Sequence, residues 1–356
     1  MYFLLSVRKK LYFLAILLLI GVSIWSGVKI FSPRPLLPVI LVLQTNPVSA
    51  EELNFLKRAN PYGILLLKNT LDHGLFPDEL KRQLQHALKR KNIYFFVDQE
   101  GSTVNRLARI FPRKKYPPLK MFGELARKDE KAAREAAYEY GFSVGQDLAK
   151  FGFDVNFAPA AEICLKNTFL SDRCVAEDPA IVSVLADAFA QGLAKAHVIP
   201  AYKHAPGIAY ARLDPHTKLA HITRTLSQLK SEEMRALRGA EKWPYLQTGH
   251  AIYSAIDPDI SSTYSPKFYQ FIRQEFSFDG LIIPDALNMT SAFIPGKTRG
   301  EQMHLALKAG ADIVMPFFDF SMPFSERWKE LQKITPQQVK QFNKKIRKLK
   351  MSSKGN

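Results

Sequence analysis

Short, near-continuous apolar runs recur along this chain at 38–44, 63–68, 93–99, 153–159, 200–206, 246–254, 280–287 and 311–317. Each is rich in Val, Ile, Leu or Phe and lacks the alternation of a half-exposed strand. That is the pattern of parallel strands buried on both faces. Between them lie stretches of helix-like composition at 77–91, 129–151, 179–197, 265–276 and 300–309. Asp178 or Asp187 can start a helical turn, and Pro179 suits a first helical position. Eight alternating β and α units predict an α/β chain folded as a (β/α)8 TIM barrel. A doubly wound open sheet is the competing arrangement, but no G-x-G-x-x-G follows the first run to support it.

A different apolar pattern opens the chain. Residues 11–28 carry no charge and would span about 27 Å as a helix; Arg8, Lys9 and Lys10 precede them. Cytoplasmic flanks of membrane spans are rich in Lys and Arg. The pattern predicts a basic cytoplasmic flank over 1–10, a transmembrane signal anchor over 11–31, a Pro-stiffened linker over 32–37 and a folded domain over 38–356. The protein would then sit in the inner or cell membrane by one pass, with its domain in the periplasm or outside the cell. A cleaved signal peptide is the alternative, although the run is long for one and no A-x-A-like site follows.

Composition adds limits. With 356 residues, 47% hydrophobic and 23% charged, the chain is globular and can bury one large core or two modest ones. Its formal net charge is +17, with five basic side chains in residues 1–37 and seven more in 340–354. The second group reads either as the solvated face of a C-terminal helix or as attraction to an anionic polymer or membrane surface. Nucleic acid is not an expected partner, because the chain carries no recognition module and no Cys/His metal framework. Cys164 and Cys174 lie ten apart in one loop. They can close a disulfide in an oxidising compartment or remain two unrelated thiols; the spacing does not suit zinc.

In a parallel barrel the chemistry sits where strands end. The third run ends in Asp98-Gln99-Glu100, the fourth in Asn156-Phe157-Ala158-Pro159 and the fifth in Lys203-His204. The sixth carries His250 and the seventh ends in Asp285. Asp98 or Asp285 alone could merely cap a helix, but five polar strand ends predict a functional rim. Beyond Lys203-His204 comes Asp214-x-His216, either a plain surface loop or a carboxylate orienting an imidazole for acid/base work.

Six blocks together resemble glycoside hydrolase family 3, in its single-domain NagZ-type β-N-acetylhexosaminidase branch. They begin at Gly63, Val97, Asp154, Arg173, Lys203 and Phe278. The 203–216 block matches K-H-F-P-G-H-G-x-T-x-x-D-S-H without a gap, and 97–106 is similar to V-D-Q-E-G-G-R-V-Q-R. The resemblance implies that Asp285 is the catalytic nucleophile and that Asp214 and His216 form the acid/base dyad. It further implies that Asp98, Arg173, Lys203 and His204, with Arg106 nearby, hold sugar hydroxyls. The implied reaction is release of terminal β-linked N-acetylglucosamine from cell-wall or chitin-type glycans by a monomer, through a covalent glycosyl-Asp285 intermediate, with no metal or organic cofactor. Departures are Ile208-Ala209 for the family's H-G, Ser102-Thr103 for G-R, and Pro284-Asp285-Ala286 for S-D-D. A catalytically weak glycan-binding or wall-organising protein and a β-glycoside phosphorylase remain open alternatives.

Overall fold

Seven of the apolar runs supply the strands of one parallel sheet. These are β1 (Leu37–Leu43), β2 (Pro61–Leu66), β3 (Tyr94–Val97), β4 (Val155–Asn156), β5 (Ile199–Ala205), β7 (Tyr245–Thr248) and β9 (Leu281–Pro284), adjacent in that order. The computed structural model describes residues 34–352, apart from Gln44, Asn167, Thr168, Arg212, Leu213, Pro215, His216 and Phe320. Along β1, Val39, Leu41 and Leu43 pack outward against helices, while Ile40 and Val42 join Tyr62, Phe96, Phe157, Tyr245 and Ile283 in a second cluster inside the curl. Both faces are therefore dry, which is why the strands read as continuous apolar runs. The hydroxyls of Tyr62 and Tyr245 meet at 2.5 Å in that interior, each satisfying the other.

The expectation of a (β/α)8 barrel preceded by a transmembrane helix is corrected by this topology. Among the described residues the main sheet has seven strands, not eight. The run at 311–317 contributes one parallel bridge, Val314 to Val39. Its backbone is bonded on both sides: Ile40 N donates to Val314 O at 3.0 Å, and Asp312 N donates to Ile282 O at 2.9 Å. The ladder stops there because Pro316 has no N–H to extend it. The sheet is thus curled, with its two edges joined through a short irregular segment. The helix expected over 11–31 lies outside the described residues, and among those residues no helix is long and apolar enough to cross a membrane.

The 246–254 run also behaves differently from expectation. It breaks at Gly249-His250 into β7 and a separate β8 (Ala251–Tyr253), which pairs in parallel with β6 (Ala220–Ile222) in a two-stranded sheet. A Cβ at Gly249 would lie 2.6 Å from Ile208 Cγ2, so the backbone turns at the one residue that can pass so close.

The longer helices are α1 (Ala50–Ala59), α2 (Pro77–Ala87), α3 (Glu130–Lys150), α4 (Pro179–Lys195), α5 (Pro266–Glu275), α6 (Arg299–Ala309) and α7 (Pro336–Ser352). Asp129 and Asp178 cap α3 and α4 by accepting from Ala132 N and Ala180 N. Helix α7 turns Phe342 and Ile346 into the interior cluster, with Phe342 edge-on to Tyr62 at 5.2 Å between ring centroids. Its lysines are the opposite face, although Lys345 reaches Asp312 at 2.8 Å.

Helices α3 and α4 approach each other through glycine. A Cβ on Gly141 would lie 2.2 Å from Phe189 O, and one on Gly192 would lie 2.2 Å from Tyr138 O. Alanine is the better helix former, so the sign of Gly141→Ala separates propensity from packing. Contact with rigid backbone should win: urea unfolding should show a loss of about 1–3 kcal/mol. A gain in stability would show that these helices are not in close contact.

Candidate active site

The strand ends gather their polar side chains around one cleft of about 240 Å³. Asp98, Arg106, Arg173, Lys203, His204 and Asp285 all line it, together with Glu100 and Gln247. Positions up to 187 residues apart in sequence therefore share one wall.

Its floor is a network of four charges. Lys203, 3% exposed, points its ammonium between Asp98 Oδ1 at 2.7 Å and Glu100 Oε1 at 2.6 Å. Arg173 grips the same Glu100 with two parallel bonds, Nε to Oε2 and Nη2 to Oε1, both 2.9 Å. Burial would push the Glu100 carboxyl up, but the charges of Lys203 and Arg173 outweigh it and hold the group well below the usual carboxylate range. Burial works against the Lys203 and Arg173 cations too. Asp98 and Glu100 reverse it for Lys203, and Glu100 chiefly reverses it for Arg173, so both values are raised.

Below this network the backbone is fixed by amides. Asn156 Oδ1 accepts from Gln99 N at 2.9 Å, and Asn156 Nδ2 donates to Gln99 O at 3.0 Å. Gln99 Oε1 in turn accepts from Arg106 N at 2.7 Å and Leu107 N at 3.1 Å. The strand-end asparagine thus sets the turn that brings Arg106 to the cleft. The Nε of Arg106 is buried with no hydrogen-bond partner among the described residues.

Asp285 directly follows β9, with its side chain 22% exposed. Its Oδ1 accepts from Gln247 Nε2 at 3.1 Å and Ala286 N at 2.7 Å. Oδ2 faces His204 Nε2 at 3.9 Å, too far for a hydrogen bond. Burial raises this carboxyl's pKa, while His204, His250, Lys203 and the Ala286 N–H lower it, and the balance falls below the ordinary aspartate value. The carboxylate as a whole is therefore held in its ionised form, with Oδ1 anchored and Oδ2 left toward the cleft.

His204 is oriented by Glu162, which is fully buried. Glu162 Oε1 accepts from His204 N at 3.0 Å and meets His204 Nδ1 at 3.1 Å; Oε2 accepts from Ile208 N at 3.1 Å. A carboxylate oxygen accepts, so Nδ1 donates and Nε2 is left toward Asp285. His250 is not at the rim. It is buried behind Asp285, with Nδ1 2.5 Å from Thr263 Oγ1 and Nε2 3.1 Å from Ala286 O.

The proposed dyad is only partly visible. Asp214 is half-buried in its loop, where its carbonyl accepts from Thr217 N at 2.9 Å, and it is not among the residues lining the cleft. His216 lies outside the described residues. Sequence reasoning missed Glu100 and Gln247 as site residues. Glu100 stands inside the D-Q-E-G block, so its motif was the available signal; nothing local marked Gln247.

Residues 37–351 match the family described as "Glycosyl hydrolase family 3 N terminal domain". The chain belongs to glycosyl hydrolase family 3. It is a glycoside hydrolase, and curated relatives carry related activities in their names. A "Beta-hexosaminidase" of Xylella fastidiosa (strain M12) is 28% identical over 270 residues, covering 75% of this chain and 79% of that protein. Among solved structures, native NagZ from Neisseria gonorrhoeae superposes with a TM-score of 0.76 at 23% identity, covering 87% of this chain and 90% of that one. A family 3 β-N-acetylglucosaminidase from Paenibacillus sp. str. FPU-7 gives 0.75 at 21% identity over 88% of this chain, which spans 61% of that longer protein. At these identities the structural likeness establishes the fold.

Two predictions follow from the cleft walls. Replacing Glu100 by Gln leaves Arg173 and Lys203 short of a buried counter-charge. Unfolding at pH 7 should show a loss of about 2–4 kcal/mol, below the ~3–5 typical of a broken buried pair because Lys203 keeps Asp98. The folded-state pKa of Glu100 is lowered, so its contribution is present above the unfolded value of about 4.3 and lost as pH falls below it. The gap between wild type and variant should narrow over that acidic range, and a gap independent of pH would contradict the assignment. The second prediction concerns Cys164 and Cys174, which form a disulfide across the loop ending at Arg173. Alkylation of protein purified under oxidising conditions should add no mass at either residue; labelling of both would refute the bond.

Proposed function

We propose that this family 3 glycoside hydrolase removes terminal β-linked N-acetylglucosamine from cell-wall or chitin-type glycans with retention of configuration. The observation that carries the reading is Asp285, ionised, with Oδ1 anchored by two donors and Oδ2 open to the cleft. Oδ2 attacks the anomeric carbon, the glycosidic bond breaks, and a covalent glycosyl-Asp285 ester forms. The departing oxygen takes its proton from His216, which Asp214 orients. In the second half, His216 accepts a proton from water, which attacks the anomeric carbon and frees Asp285. Asp98, Lys203, Arg173 and His204 hold the sugar hydroxyls, and Arg106 brings a further donor to the same wall. The field of His204, His250 and Lys203 around Asp285 disfavours protonation of the nucleophile. We also place the domain outside the reducing cytoplasm, on the support of the Cys164–Cys174 bond.

Two substitutions test the two roles. Asp285→Asn keeps shape and sugar contacts but removes the nucleophile, and should abolish turnover on every β-N-acetylglucosaminide. His216→Ala removes proton donation, worth roughly 10²–10⁴-fold. Its glycosylation step should survive better on an aryl glycoside with a good leaving group than on a natural disaccharide. An activated fluorinated glycoside should label Asp285, read by peptide mass. Near-normal turnover by Asp285→Asn would overturn the assignment. Absence of any turnover by the unmutated protein would favour a glycan-binding role, and phosphate-dependent formation of a sugar phosphate would favour a phosphorylase.

A further inference from the structure

Ser102 and Thr103, where this chain leaves the family pattern, have a partner. Both hydroxyls donate to the carboxylate of Asp172, Ser102 to Oδ2 and Thr103 to Oδ1, the latter at 3.2 Å. Asp172 immediately precedes Arg173, and Ser102 lies two residues beyond Glu100. The same two segments are therefore linked twice: once by Arg173 on Glu100 and once, side by side, by Asp172 on Ser102 and Thr103.

The second link matters because of what holds the loop otherwise. Downstream of Arg173 the chain is fixed by the Cys164–Cys174 disulfide, by Val175 N donating to Glu162 O at 2.9 Å and by Cys164 N donating to Ala176 O at 2.8 Å. Upstream, the tip turns through Ser171 in the left-handed region (φ 54°), and Arg173 N donates to Leu170 O at 2.8 Å. Closing a loop at its base does not set the rotation of its tip. A bidentate guanidinium–carboxylate pair needs that rotation, because both N–H vectors must lie in the carboxylate plane. The receiving turn is itself rigid: Ser102 has φ 48°, its N donates to Tyr116 O at 2.6 Å, and Gly101 and Val104 form a bridge.

We propose that Asp172, clamped by the hydroxyls of Ser102 and Thr103, is a positioning residue that sets Arg173 against Glu100 and so tunes substrate affinity in the cleft. The proposal rests on the glycosidase reading for its kinetic consequence, but its structural consequence is separate. Asp172 contacts no part of the nucleophile, so its loss acts on binding and not on bond breaking. The clamp also gives Ser102 and Thr103 a role that glycine and arginine at those positions could not fill in the same way.

Steady-state kinetics on a chromogenic β-N-acetylglucosaminide test it through a double-mutant cycle. Asp172→Ala should raise KM by ~3–10-fold, the effect of losing one or two modest hydrogen bonds, with kcat within about two-fold. The double variant Ser102→Ala/Thr103→Ala should reproduce this. Asp172→Asn, which keeps an acceptor oxygen, should recover part of it. In an Arg173→Ala background, Asp172→Ala should add nothing further. An equal effect in both backgrounds, or an unchanged KM, overturns the proposal. Amide hydrogen exchange at Arg173, compared between wild type and Asp172→Ala with thermal melting as the folding control, reads the clamp without turnover. Faster exchange in the variant supports the clamp even if the wild type hydrolyses nothing, in which case only the glycosidase reading falls. Unchanged exchange overturns the clamp.

Discussion

A lysine ammonium almost wholly withdrawn from water is the constraint around which this cleft is organised. Taking a charge from water costs several kcal/mol even after relaxation, and only well-placed counter-charges recover it. Lys203 meets two, Asp98 and Glu100, from the end of β3. Glu100 then carries a second cation, Arg173. The network thus ties β5, β3 and the disulfide loop into one wall, because the departure of any member leaves a buried charge with one counter-charge fewer. The same charges extend to Asp285, whose carboxyl is held down by His204, His250 and Lys203 despite its burial. The charge balance of the cleft wall and the ionisation of Asp285 are therefore two effects of one field.

Much of the secondary structure was legible because burial on both faces leaves a simple trace. Five of the seven longer helices fall where helix-like composition between the apolar runs placed them, and Asp178 with Pro179 marks the start of α4 as expected. What failed were features set by single backbone atoms. Pro316 ends pairing that the composition of 311–317 would otherwise support. Gly249 breaks one apolar run into strands of two different sheets, because only there can the chain pass Ile208. Strand β6 is three residues long with an exposed His221 at its centre, too short for a periodic signal. Each is a local geometric requirement that an average over hydrophobicity removes.

The candidate site divides in the same way. Asp98, Lys203, His204 and Asp285 were readable from their positions at strand ends, since a parallel curl brings such ends together. The pairing of those charges was not readable. Lys203 and Asp98 are 105 residues apart, and no pattern states which of several acids a buried cation will choose. Gln247 illustrates the limit: it is one polar residue in an apolar strand, and only its 3.1 Å bond to Asp285 Oδ1 gives it a role. Glu162 is similar, since its grip on both the ring and the backbone of His204 depends on a strand-end turn whose path the sequence leaves open.

The departures from the family's motifs acquire physical content in this setting. Ile208, where the resemblance leads one to expect a histidine, is buried and packs against Gly249, so an imidazole is exchanged for core. Its amide still donates to Glu162, a contact that needs no particular side chain. Ala286 stands where the resemblance leads one to expect an acid beside Asp285, yet the contact it supplies is again from its backbone N–H. An alanine there also leaves no like charge adjacent to Asp285. Like charges raise a carboxyl's pKa, so the substitution works in the same direction as His204 and Lys203, toward an ionised Asp285. The changes that look most damaging in the motif are thus those whose structural contacts run through the main chain, and the charged side chains that line the cleft, Asp98, Glu100, Arg173, Lys203 and Asp285, are all present.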